Sequence, residues 1–211
     1  TAQKTSYAAD RGAVGYITIQ TPASERRRPF ERSKLYTKTP KMAWIGKNGE
    51  PGNIRTELKA NATFSLQAAQ ILFSDAPIAL DEIYAQIEKD EVPLGFNLPY
   101  TLDLSYQTKL EEISSPNVVG LLEGSDPKLK NEYVVYSAHS DHLGISKSVE
   151  KDKINNGAMD NATGTSVLLE TARMFSQLNE APKRSILFVA VTGEERGLLG
   201  ADYFVRHPTR P

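Results

Sequence analysis

The pattern of apolar and polar positions differs between the two halves of the chain. In residues 1–98 the apolar runs are short: a helix ends at Gly12 and a strand follows over Val14–Ile19. Spacings of three and four residues predict helices in SLQAAQILFSD and ALDEIYAQIEK, and KMAWIG is a candidate strand. The basic stretch ERRRPFERSK contains a single aromatic residue, Phe30, and no repeated interleaving of aromatic and basic positions, so we expect a solvated loop there rather than a nucleic-acid surface.

Longer elements follow the break at EVPLGFNLP. Predicted strands lie in YTLDLSYQTKLEEI, NVVGLLEG, EYVVYSAHSDH and RSILFVAV, and predicted helices cover residues 163–178 and 198–205. Alternating strands and helices favour an α/β fold. We expect a mixed, mostly parallel sheet flanked by helices over residues 99–211, preceded by a smaller domain over residues 1–98.

The amino-acid composition argues against several kinds of site and partner. The 211 residues carry a net charge of −1 and contain no cysteine, which excludes disulfides and thiolate metal sites. The near-zero charge gives no field that would attract nucleic acid. The longest strongly apolar run is about six residues, against the ~20 that a membrane-spanning helix needs, so we expect no membrane-spanning segment.

Candidate chemistry collects in three polar clusters. The first, with His139, Asp141 and His142, ends one predicted strand; the second, with Asp160, precedes a helix; the third, Glu194 and Glu195, follows a buried strand. Ligands of such sheets bind at the carboxyl ends of the strands. Imidazole and carboxylate without thiolate suit zinc or a similar divalent ion, which would also lower the cost of placing two glutamates side by side.

The motifs AHSDHLG, NNGAMDNATGTS and VTGEERGLLGA together resemble the di-zinc aminopeptidase family (metallopeptidase family twenty-eight) in order and spacing. This family also includes glutamate carboxypeptidases and the non-catalytic transferrin receptors. The resemblance spans about residues 99 to 211. Residues 1–98, with AADRGAVGYI as the best marker, resemble part of the protease-associated domain that many members carry.

The resemblance implies a role for each matching residue. His139 corresponds to a ligand of one zinc ion, Asp160 to the aspartate that bridges two zinc ions, and Glu195 to a ligand of the other. Glu194 corresponds to the general base and Asp141 to the acid that orients the ligating histidine. A cis peptide bond between Asp160 and Asn161 is also expected.

Two histidines have no assigned ligand role. We expect His142 to lie behind the ligands or at the surface, and His207 to lie at a surface helix end.

The implied activity is hydrolysis of a peptide bond next to a free α-amino group, with a short peptide as the substrate. An extracellular or periplasmic location is expected from the resemblance alone. Two alternatives stay open: a non-catalytic receptor or scaffold, and a single-zinc acyltransferase of the glutaminyl cyclase type. Every matching position keeps a functional residue type, which favours the peptidase.

The family pattern also requires a second aspartate and a second histidine beyond the pair of glutamates. We therefore expect these 211 residues to be an internal piece of a longer enzyme, inactive alone and binding zinc weakly or not at all. Peptidase turnover and zinc stoichiometry of this piece would test that expectation.

Overall fold

The computed structural model describes residues 2–37, 39–52, 54–105, 107–146 and 149–210. The chain forms two compact units. Unit 1 comprises residues 1–39 and 54–110, and unit 2 comprises residues 40–53 and 111–211. The division near residue 110 lies a dozen residues after the expected boundary, and the segment 40–53 is grouped with the second half of the chain.

Unit 1 is a small α+β structure with a parallel pair of strands. Its elements are α1 (Ala2–Asp10), β1 (Gly15–Ile19), α2 (Pro22–Arg27), α3 (Phe30–Lys34), β2 (Ala60–Phe64), α4 (Leu66–Leu72) and α5 (Leu80–Glu88). Its core contains Ala69, Leu80 and Tyr84. The Tyr84 hydroxyl donates to the carbonyl of Gln20 at 2.9 Å, which satisfies the polar end of a buried ring.

The expected helices α1, α4 and α5 and the strand β1 are confirmed. The expectation of a loop at the basic stretch is wrong, because α2 and α3 occupy it. Thr21 and Ser24 form a reciprocal capping box and Pro22 opens α2. Strand β2 was not predicted. The resemblance of this unit to a protease-associated domain stays a prediction.

Unit 2 contains the three-stranded sheet and two helices that matter for the candidate site. Its strands and helices are β3 (Val118–Leu122), β4 (Tyr133–His139), β5 (Gly144–Ile145), β6 (Ile154–Asn155), α6 (Thr163–Ser176), β7 (Ser185–Val191) and α7 (Leu199–Arg206). Strands β3, β4 and β7 and helices α6 and α7 were all predicted from the sequence and are confirmed. The strand predicted in YTLDLSYQTKLEEI is not among them.

The sheet is mixed, with the order β3-β7-β4. Strand β7 pairs parallel with β4 and antiparallel with β3. We expected a mostly parallel sheet, but among these three strands one pairing is parallel and one is antiparallel. The parallel pair is connected through α6, as parallel neighbours require a crossover. This part of the chain is therefore a mixed α/β structure.

Both faces of β7 are covered. Leu187, Val189 and Val191 are buried on one face against Phe204 of α7, and Phe188 on the other face contacts Phe175 of α6. Side chains alternate between the faces of a strand, so a nearly continuous apolar run marks a strand that is buried on both sides. This central position holds the end of β7 firmly where Glu194 follows.

Two predicted strands are wrong. No strand forms in residues 100–105 and 107–113, where Leu110 and Ile113 are 89% and 75% exposed. Alternation produces a strand only where a neighbouring strand pairs with the segment, and no strand pairing is assigned to these described residues. In KMAWIG only Ile45 pairs, in an isolated bridge to Pro51. No helix in the described part of the chain is long and apolar enough to cross a membrane.

Candidate metal centre

The register of the parallel strands brings the first and third motifs together. His139 at the end of β4 lies level with Val191 at the end of β7. The Ser140 amide continues the pairing by donating to the Val191 carbonyl at 2.9 Å. Because parallel strands end at the same edge of a sheet, the segments 140–142 and 192–195 leave it side by side.

The second motif reaches the same edge through α6. Thr165 in the first turn of α6 donates its hydroxyl to the His139 carbonyl at 3.0 Å. Asp160 precedes that turn, and its Oδ1 lies 3.0 Å from His139 Nε2. The peptide bond between Asp160 and Asn161 is cis, which confirms the expectation. The structure therefore brings His139 and Asp160 into direct contact.

His139 is oriented by the backbone of Asp141. Its Nδ1 lies 3.0 Å from the Asp141 carbonyl oxygen and 3.8 Å from the carboxylate oxygen Oδ1. A carbonyl only accepts, so Nδ1 carries a hydrogen, and neutral His139 then has its lone pair on Nε2. Burial would lower the pKa of His139, but the bond to Asp141 and the charges of Glu194 and Asp160 raise it above its usual value.

The Asp141 carboxylate holds the turn that carries Glu194. Its Oδ1 accepts from the Glu194 amide at 3.2 Å. The Glu194 carboxylate oxygen Oε2 lies 3.9 Å from His139 Nε2. The predicted orienting role of Asp141 is thus divided in the structure: its carbonyl meets the imidazole, and its carboxylate meets the neighbouring turn.

Glu195 faces another partner. Its Oε1 lies 2.7 Å from His142 Nδ1, and the two side chains are only 17% and 21% exposed. The adjacent glutamates therefore diverge, one beside His139 and one beside His142. Sequence reasoning gave His142 no ligand role, yet one ligand atom from each of His142, Asp160 and Glu195 lies within 4.8 Å of the others.

The donor set fits a divalent cation. Four carboxylates lie near two imidazoles, those of Asp141, Asp160, Glu194 and Glu195. In the described part of the chain, the ion pairs found for these carboxylates are all with histidines. Such a concentration of negative charge is stabilised by a bound cation, and nitrogen and oxygen ligands of this kind suit zinc. A cleft of about 280 Å³ lined by Asp141, His142 and Asn161 opens beside these residues.

Asn117, just before β3, supports the turn and was missed by the sequence analysis. Its Oδ1 accepts from the Thr192 amide at 3.1 Å and its Nδ2 donates to the Gly200 carbonyl at 2.8 Å. A Cβ at Gly200 would lie 2.3 Å from the Thr192 carbonyl oxygen, so glycine permits this close approach. No local pattern around Asn117 indicates the role, because its partners lie more than 70 positions away.

The expectation for His207 needs a correction. It ends α7 as expected, but its ring packs edge-on against Trp44 at a centroid distance of 5.6 Å. Its Nε2 is buried and has no hydrogen-bond partner among the described residues. The ring is thus part of a small aromatic cluster rather than a simple surface position.

Comparison with known proteins agrees with the site. Residues 117–211 match the sequence profile of Peptidase family M28. The matched region contains all three motifs and the sheet edge described above. The match to this family supports the interpretation of the site as that of a metallopeptidase.

Three curated relatives each match less than half of this chain. It is 34% identical to Aminopeptidase NAALADL1 of Mus musculus over 106 residues, 48% of this chain and 12% of that protein. It is 36% identical to Aminopeptidase YwaD of Bacillus subtilis over 96 residues, 44% of this chain and 18% of that protein. A probable zinc metalloprotease of Pyrenophora teres f. teres is 37% identical over 89 residues, 42% of this chain and 18% of that protein. The chain thus spans less than a fifth of the length of each of these relatives.

Proposed function

We propose that this chain forms part of a zinc-dependent exopeptidase that hydrolyses peptide bonds next to a free N-terminus. The observation that carries the proposal is the divergence of the adjacent glutamates: Glu194 lies beside His139, whereas Glu195 faces His142. One carboxylate can then bind a metal ion while the other remains free to move a proton. The relatives' names, aminopeptidase and zinc metalloprotease, support the same class.

The proposed ligands are His139 through Nε2, Asp160 shared between two zinc ions, and Glu195. Zinc bound there would polarise the scissile carbonyl and lower the pKa of water toward neutrality. The Asp141 carbonyl keeps a hydrogen on His139 Nδ1, which leaves Nε2 available as a donor to metal. The short peptide substrate and an extracellular or periplasmic location belong to this proposal and rest on the resemblance.

Glu194 is the proposed general base. It is 31% exposed, so water reaches it, and its amide is fixed by Asp141. In this role a carboxylate oxygen of Glu194 takes a proton from the attacking water and later delivers it to the leaving amine. The carboxylate must therefore stay free of metal while lying next to the proposed zinc site, and its Oε2 is 3.9 Å from His139 Nε2.

The test compares Glu194→Gln with Glu195→Ala in the full-length protein that contains this chain. Glu194→Gln should bind zinc normally and lose about 10²–10⁴-fold in peptidase turnover, because an amide cannot accept the proton. Glu195→Ala should weaken zinc binding. Turnover of aminoacyl substrates and zinc content by atomic absorption are the measurements.

Equal zinc loss in both variants would contradict the assignment of base and ligand. A wild-type protein that binds zinc but hydrolyses no peptide would reject the peptidase itself and favour a receptor or an acyltransferase.

A further inference from the structure

His142 has a specific environment that the proposed ligand set does not use. Its Nδ1 lies 2.7 Å from Glu195 Oε1, and both side chains are largely buried. The ring also packs closely on Gly157: a Cβ at that glycine would lie 3.0 Å from His142 Cβ. Gly157 has a φ of +67°, which also favours glycine. Packing therefore holds His142 in place next to the carboxylate.

The direction of this hydrogen bond follows from the chemistry of the partners. An ionised Glu195 carboxylate only accepts, so the hydrogen lies on His142 Nδ1. The bond occupies Oε1 of Glu195, and among the described residues no hydrogen bond to Oε2 is found. The two ring nitrogens of imidazole diverge, so Nε2 faces away from the carboxylate that Nδ1 contacts.

These observations separate two possible roles for His142. As a ligand it would need a nitrogen lone pair directed at an ion that Glu195 also binds. The 2.7 Å separation of Nδ1 and Glu195 Oε1 is that of a direct hydrogen bond, and the positioning role takes Nδ1 as its donor. Carboxylates that bind metal are commonly held by a hydrogen bond of this kind on their other oxygen.

We propose that His142 is a positioning residue, which holds Oε1 of Glu195 so that Oε2 is presented to the zinc ion. This inference rests on the proposed zinc site and adds to it the residue that sets the orientation of one ligand. His142 touches neither the substrate nor the reacting atoms in this role. Its contribution is to keep the Glu195 side chain in one arrangement before the metal binds.

The experiment compares His142→Ala, His142→Asn and His142→Gln in the full-length protein. The Asn side chain places an N–H donor close to the position of Nδ1, whereas Gln places its donor close to the position of Nε2. Zinc affinity is measured by competition with a chromophoric chelator, and thermal unfolding checks the fold. Replacing such a supporting partner costs 10–100-fold in metal affinity, so we expect His142→Ala and His142→Gln to lose that much and His142→Asn to recover most of it.

The matched control is His207→Ala, which removes a histidine outside the cluster and should leave zinc affinity unchanged. Unchanged affinity in a folded His142→Ala variant would overturn the inference. A folded His142→Asn variant as weak as His142→Ala would also overturn it and assign His142 as a ligand.

Failure of the proposed function gives a different result. If the wild-type protein binds no zinc, the proposed metal centre itself is rejected. If the wild-type protein binds zinc and hydrolyses peptides but the His142 variants behave like it, only the positioning role is rejected.

Discussion

Asp141 illustrates how a single residue serves the candidate site through two different atoms. Its carbonyl accepts from His139, while its carboxylate accepts from the Glu194 amide. The carboxylate lies 3.8 Å from His139 Nδ1, too far for a hydrogen bond. The acceptor capacity of Oδ1 should therefore matter more than the negative charge.

This division predicts that Asp141→Asn retains more activity than Asp141→Ala. Asparagine keeps an Oδ1 that accepts from the Glu194 amide, whereas alanine leaves this partly buried N–H unpaired, at a cost of about 1–3 kcal/mol. We expect peptidase turnover of the alanine variant to fall about 10–100-fold, as for other partners that support a metal site. Steady-state kinetics on both variants is the measurement, and equal loss in the two would show that the charge of Asp141 is what counts.

At the scale of elements, the connection between β7 and α7 carries both glutamates. Glycine at position 193, with a φ of +64°, turns the chain out of the strand. The Gly200 amide donates to the Thr192 carbonyl at 2.8 Å, and Asn117 bonds both residues from the start of β3. The turn is thus closed by backbone contacts and by side chains from other parts of unit 2, among them Asn117 and Asp141.

Replacing Asn117 should loosen this turn. Asn117→Ala removes the acceptor of the Thr192 amide and the donor to Gly200, and should lower the free energy of unfolding by about 1–3 kcal/mol. The exposed Asn179→Ala is the matched control and should change it by less than about 0.5 kcal/mol. Urea denaturation gives both values, and similar effects of the two substitutions would argue against the bridging role.

At the scale of the molecule, the segment 40–53 is tied to α7 within unit 2 across 158 positions of sequence. Trp44 Nε1 donates to Asp202 Oδ2 at 2.7 Å, and Arg206 pairs with Asp202 Oδ1 at 3.0 Å. The hydrogen bond from Trp44 lowers the pKa of Asp202, burial opposes this, and Arg206 adds to the lowering.

A lowered pKa in the folded state makes this tie dependent on pH. Its stabilisation should be fully present above the pKa of an unfolded aspartate, about 3.9, and should be lost as the pH falls through the lower pKa of the folded state. The free energy of unfolding of the wild type should therefore be larger than that of Asp202→Asn at pH 7. The difference between the two should shrink below about pH 4. Urea denaturation at pH 3 to 7 tests this, and a constant difference across that range would show that Asp202 does not titrate with folding.

The local sequence was sufficient for the elements whose signals are continuous. The apolar run of β7, the spacing in α6 and the order of the three polar clusters each depend on residues close together in the chain, and the structure has these elements where they were predicted. The same local alternation was misleading in residues 100–105 and 107–113, because whether an alternating segment becomes a strand depends on a partner strand elsewhere.

The tertiary structure alone decided which side chains meet. Three contacts at the site join residues more than 50 positions apart in the sequence. They are the pairing of His139 with Val191, the contact of His142 with Glu195 and the hydrogen bonds of Asn117. Strand register and the angle at which a turn leaves the sheet determine such contacts, since a shift of one residue would direct each side chain to the other face. The sequence by itself therefore determined the residue types available for a metal centre, and the packing of β4, α6 and β7 determined which of them face one another.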